Sequence, residues 1–222
     1  MVRYTLFSLS LLLFLPDSSL AAPAITCHCF TERKYDFSRP AVADPYFLTT
    51  TQNSFFATYF AVDKKVIVMK KQTGSSADDL WIGYWIASKS GLSADDLLEL
   101  RGKKGSWKEV VAPLGLPSQS VGERFSAEVM SGATADRLAQ IIVDEVLLRH
   151  RLLGLQELTV LRKEWATNQE VIISAMLAPK SKRPAVQLFR EVKRGAKSWG
   201  VLLGDAKIQP AGMSGEFAAL LK

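Results

Sequence analysis

The residues best equipped for chemistry in this chain are Cys27, His28 and Cys29, which hold both cysteines and one of the two histidines. Two thiolates and an imidazole within three positions suit a soft ion such as Cu(I) or Zn(II). A closed zinc site takes about four ligands, and the other histidine, His150, stands far along the chain with no second cluster beside it. Closed on itself, a Cys-x-Cys pair makes a small strained ring that is comparatively oxidising. The leading reading is a disulfide at Cys27 and Cys29, within the chain or between two chains. The alternatives are a metal site and a thiol redox centre. No cofactor is implied, and the Cys-x-x-Cys-His pattern of haem attachment is missing.

Other chemistries find less support. A serine nucleophile needs a base, and the sequence has two histidines and no Gly-x-Ser-x-Gly elbow. The acidic pairs Asp78-Asp79 and Asp95-Asp96 each follow a serine and an alanine. They read as first helical turns, where the helix dipole favours negative charge. Glu128, Asp144, Glu145 and Glu164 read as solvated helical faces. No phosphate-binding loop or dinucleotide fingerprint is present. The reading leans towards a protein that is not an enzyme.

The start of the chain sets an address. Arg3 supplies a positive end, Leu6, Phe7 and Leu9 to Leu15 supply an apolar core broken by Ser10, and Ala22-Pro23-Ala24 supplies small residues for cleavage. This pattern predicts a signal peptide over residues 1–24, with Ile25 as the first mature residue. The apolar run is about half the roughly 20 residues a spanning helix needs, so no transmembrane helix is expected after cleavage. Lipidation at Cys27 fits poorly behind Ile25 and Thr26. The expected location is the periplasm or the exterior.

The formal net charge is +6. An exported basic protein is suited to anionic envelope components such as phospholipid head groups or wall polymers, or to another envelope protein. Nucleic acid is the poorer fit. A helix-turn-helix can be laid over Trp107 to Phe125, but Pro113 falls inside its first helix and its reading helix, Ser118 to Arg124, carries Glu123.

The elements follow from periodicity. Residues 25–48 lack a period and read as an irregular arm carrying the Cys-His-Cys cluster; residues 49–222 read as a helical domain. Phe55, Phe56, Tyr59 and Phe60 fall at helical spacing, with Thr51 or Asn53 as a cap. The run Val66 to Met69, flanked by lysine pairs, fits a strand or a helix within 63–71 equally well. A helix is expected from Ser76 through Trp81 and Trp85 to Gly91, another after Ser93, another over Asp136 to His150. One long helix is expected from Leu155 to Leu177, closed by Pro179. The fold class is mostly α, built of packed helical hairpins.

Two segments, 93–117 and 184–210, share a pattern. A helix ends at Lys103-Lys104-Gly105 or Lys193-Arg194-Gly195, and a serine precedes Trp107 or Trp199. The pattern reads as a helical hairpin pinned by tryptophan, with a degenerate copy through Leu158, Leu161, Arg162 and Trp165. All five tryptophans are expected in the core. Gly105-Ser106-Trp107-Lys108-Glu109-Val110-Val111, followed by Leu114-Gly115, resembles a Gly-x-x-Trp-x-x-(Ile/Val)…Leu-Gly pattern of exported, uncharacterised helical proteins of bacteria. The resemblance implies an exported, helical protein and brings no activity with it.

Overall fold

Short polar residues accept backbone N–H groups at one helix start after another. Asp63, Ser76, Ser93, Ser106, Thr134, Thr167 and Ser198 all serve as N-caps in the computed structural model, which describes residues 38–222. Such caps satisfy amides that the first turn leaves without partners. Between them lie α1 (Asp44–Tyr59), α2 (Lys64–Gln72), α3 (Ala77–Ser90), α4 (Ala94–Lys104), α5 (Trp107–Val111), α6 (Ser118–Val121), α7 (Glu123–Ser131), α8 (Ala135–Arg149), α9 (Leu155–Lys163), α10 (Asn168–Ser181), α11 (Ala185–Lys193), α12 (Trp199–Asp205) and α13 (Met213–Leu220). Among the described residues there is no strand, and no helix is long and apolar enough to cross a membrane. The fold is all-α.

Helix α1 is the hub. It packs against α10 and α13, with α2 and α12 at its flanks, while α8 lies against α3 and α10 joins α11 to the centre. Phe47, Phe55, Phe56, Trp81, Trp85, Phe125, Trp199 and Phe217 are buried in one continuous core. Edge-on aromatic contacts tie α1 to α3: Phe56 meets Trp81 at 4.8 Å and Tyr84 at 5.1 Å between ring centroids. Such pairs add about 0.5–1.5 kcal/mol each beyond the area they bury.

Several expectations change. The described part of the arm read over 25–48 is instead a 3-10 turn at Pro40–Ala43 and the start of α1 at Asp44, because Pro45 in the first turn fixes a helical φ at no cost in hydrogen bonds. The cysteine cluster and the leader lie outside the described residues. Thr51 and Asn53 are interior and buried, so neither caps α1. Thr51 Oγ1 donates to the Phe47 carbonyl, and Gln52 and Asn53 accept from Gln169 and Lys71. The lysine-flanked run is helix α2. The stretch over which a helix-turn-helix can be laid, the disfavoured reading, is broken: α6 ends at Val121, Gly122 takes φ 93°, and α7 begins at Glu123. An added Cβ on Gly122 would stand 2.6 Å from Glu145 Oε2, so the break is also a close approach.

The long helix over 155–177 is two helices, α9 and α10, turned at Glu164–Thr167. Thr167 and Glu170 form a capping box that starts α10 afresh. Pro179 lies inside the last turn of α10 rather than ending it. The two tryptophan hairpins share their geometry. Trp107 and Trp199 each open a helix directly after a capping serine, and both are buried. Trp165 does neither.

Candidate binding cleft

Two helix faces and a turn enclose a cleft of about 620 Å3. From α8 come Arg137, Gln140, Asp144 and Leu148, at spacings of three, four and four that put them on one stripe. From α9 come Leu155, Leu158, Thr159, Arg162 and Lys163, again one stripe. Arg124 of α7 and the turn carrying Trp165 complete the lining.

At its base sits a buried ion pair. Asp144 is 5 % exposed, which overturns its reading as a solvated helical residue. Its Oδ1 accepts from Arg162 Nε at 2.9 Å and from Nη2 at 2.7 Å. Arg162 also donates to Asn168 Oδ1 at 2.7 Å and to the Ala166 carbonyl at 2.8 Å. One guanidinium thus ties α8 to α9, to the turn and to the start of α10. Burial pushes the Asp144 carboxyl above its ordinary range; Arg162, with Arg124 and Arg137 behind it, pulls the other way.

The remaining cations are freer. Arg137 reaches Glu128 at 3.2 Å. Among the described residues Arg124 and Lys163 make no ion pair, and both are exposed. With Asp136 at the rim, four cationic side chains face two carboxylates, so the cleft favours an anion. Leu155, 67 % exposed, and Trp165, 89 % exposed, add an apolar lip.

The turn presents that tryptophan firmly. Arg190 of α11 grips Glu164 through Nε at 3.0 and 3.1 Å, and Arg162 holds Ala166. Trp165 takes φ 61°, a left-handed conformation that a bulky residue adopts at a cost.

Of the tryptophans expected in the core, Trp81, Trp85, Trp107 and Trp199 are there and Trp165 is not. Asp79 and Asp95 occupy first turns as expected, and Asp79 also accepts from Trp107 Nε1 at 2.6 Å. His150 sits edge-on to Tyr59 at 5.8 Å, away from any cluster of metal-ligating groups among the described residues. Cys27, His28 and Cys29 lie outside the described residues. A second buried ionisable group, Lys71, is pushed down to about 8 by burial, but its ammonium donates to Asn53 Oδ1 at 2.6 Å and Asp78 pulls it back up. It reads as a satisfied core contact.

Sequence reasoning missed the Asp144–Arg162 pair and the exposure of Trp165. The one available signal was Thr167-x-x-Glu170, a capping box in mid-helix that demanded a break just after Trp165. No protein-family model, no curated protein and no solved structure matches this chain at a significant level.

Proposed function

We propose that this chain is an exported envelope protein that binds rather than catalyses, engaging an anionic envelope component through its basic helical surface. The observation that carries this reading is the cleft between α8 and α9. Arg124 and Lys163, which make no ion pair among the described residues, line it together with an exposed tryptophan, while its buried carboxylate, Asp144, is already committed to Arg162. Free cations next to a locked ion pair suit recognition of charge more than proton transfer.

The test is sedimentation of the purified mature protein with isolated cell envelopes over a range of salt. The expected result is retention at low ionic strength and release as salt shortens the screening length to a few ångströms at about 1 M. Retention indifferent to salt, or none at any salt, would sink the reading. Sequencing the mature amino terminus tests the address separately, with Ile25 as the expected first residue.

A further inference from the structure

We infer that the cleft between α8 and α9 is a site for an acidic sugar, whose ring stacks on Trp165 and whose anionic group lies on Arg124 and Lys163. The inference rests on the proposed envelope-binding reading and narrows it to one ligand class.

Trp165 is the starting point because folding does not account for it. It is 89 % exposed and stands at φ 61°, two residues past the end of α9. The N–H of Trp165 donates to the Arg162 carbonyl at 3.1 Å, and that of Ala166 to the Leu161 carbonyl at 3.0 Å. Those two bonds define a Schellman turn, whose left-handed position favours glycine but is held by Arg151 after α8 and by Lys207 after α12. The chain makes the same turn after α11 and places Gly195 there, at φ 71°. What sets Trp165 apart from the other residues in this conformation is a large ring, the most exposed of the described large hydrophobics, and something that covers the ring would explain it.

The surroundings narrow what covers it. The indole lines a cleft in which four cationic side chains outnumber the carboxylates of Asp136 and Asp144. Thr159 and Gln140 line the cleft, with hydroxyl and amide groups able to meet hydroxyls. A flat apolar face, an anion and several hydroxyls together describe a uronic or phosphorylated sugar. The turn is pinned by Arg190 and Arg162, so the platform is formed before the ligand arrives.

Tryptophan fluorescence reads the site directly, since the other four indoles are buried. The mature protein is titrated with a glucuronate-containing tetrasaccharide, a phosphorylated oligosaccharide, cellotetraose and a mononucleotide, with acrylamide as quencher. Expected are protection from quenching by one or both acidic sugars, binding at least tenfold weaker for cellotetraose, and loss of most binding at high salt. Trp165→Gly lacks the reporter, so its binding is read by titration calorimetry beside the native chain; it should be at least tenfold weaker while the thermal midpoint does not fall. Arg124→Ala with Lys163→Ala should erase the preference for acid over neutral sugar. The two acidic probes separate carboxylate from phosphate. The inference is overturned if cellotetraose binds equally, if the mononucleotide is preferred, or if Trp165→Gly binds undiminished. Salt-sensitive envelope retention by Trp165→Gly, alongside no sugar binding by the native chain, would overturn the sugar site and leave the broader reading standing.

Discussion

The turns that follow α9 and α11 are the same piece of backbone carrying opposite residues. Both helices run nine residues, and both end in a Schellman turn with its left-handed position two residues beyond the helix. After α11 that position is Gly195, and the tryptophan comes later, as the buried first residue of α12. After α9 the position itself is Trp165, and the indole points to water. One tryptophan is placed where the fold gains from it, the other where the fold loses. The difference separates indoles that the core uses from one that it does not.

The sharpest way to break that comparison is to remove the indoles one at a time. Trp199→Ala should cost about 3–5 kcal/mol, the range for emptying a buried aromatic site, because Trp199 is 2 % exposed. Trp107→Ala should cost a similar amount and also leave Asp79 without its indole donor. Urea unfolding curves give both values. Losses of under 1 kcal/mol at either site would mean that these indoles do not pin their corners, and the contrast with Trp165 would collapse.

Next in size is the pair that holds the third corner. Asp144→Ala leaves Arg162 buried beside an empty place, and it should cost about 2–4 kcal/mol, towards the lower end for a broken buried pair because the cleft admits water. Amide hydrogen exchange at Ala166 and Asn168 should quicken, since Arg162 steadies both. Replacing both partners, Asp144→Leu with Arg162→Met, should recover most of the loss. A double variant as unstable as the single one would show that the corner needs the charge itself.

Much of this was readable along the chain and some was not, for a physical reason. Caps are local: a serine and an acidic residue two or three positions later announce α3 and α4 without help from the rest of the molecule. Four tryptophans announce their burial by the apolar residues at helical spacing beside them. Asp144 is different, because its partner lies 18 positions away on another helix, and without that partner an aspartate in Ile141-Ile142-Val143-Asp144-Glu145 reads as solvated. The caps expected at Thr51 or Asn53 fail for a similar reason: Gln52, Asn53 and Ser54 are buried against Gln169, Lys71 and Lys64 of other helices, and Thr51 donates to Phe47 within α1. The bend at Trp165 hides because Glu164-Trp165-Ala166-Thr167 contains neither glycine nor proline.

The second corner is held from outside, and that makes it sensitive to pH. The Asp44 carboxylate of α1 accepts from the Gly200 amide at 3.1 Å, at the start of α12. Burial pushes Asp44 up to about 6, outweighing the backbone N–H groups of Gly200 and Trp199 that favour its charge. A carboxyl with a raised value in the folded chain binds its proton there before the unfolded chain does. Its contribution therefore favours folding at low pH and is lost as pH rises from about 4 to about 6. Asp44→Asn keeps an acceptor oxygen and removes the titration. The expected outcome is a flatter stability profile over that window than the native chain shows, measured by urea midpoints at each pH. Identical profiles would show that water reaches Asp44 well enough to cancel the effect.

The smallest effect carries the most weight, because its sign is unusual. Trp165→Gly should stabilise the chain by about 0.5–1 kcal/mol: relief of a left-handed non-glycine residue is worth roughly 1–2 kcal/mol, and glycine returns part of that as backbone entropy. In a chain of this length the thermal midpoint should rise by about 1–4 °C. The reciprocal change, Gly195→Ala, meets no atom within 4 Å of its new Cβ. It should therefore lose about 1 kcal/mol from the backbone alone. Together the two variants ask whether one motif, met twice, tolerates a side chain equally in both places. A destabilised Trp165→Gly would mean that the exposed indole supports the fold after all. A stabilised one would mean that the native sequence gives up stability at this turn, which selection permits where an exposed ring has a partner to meet.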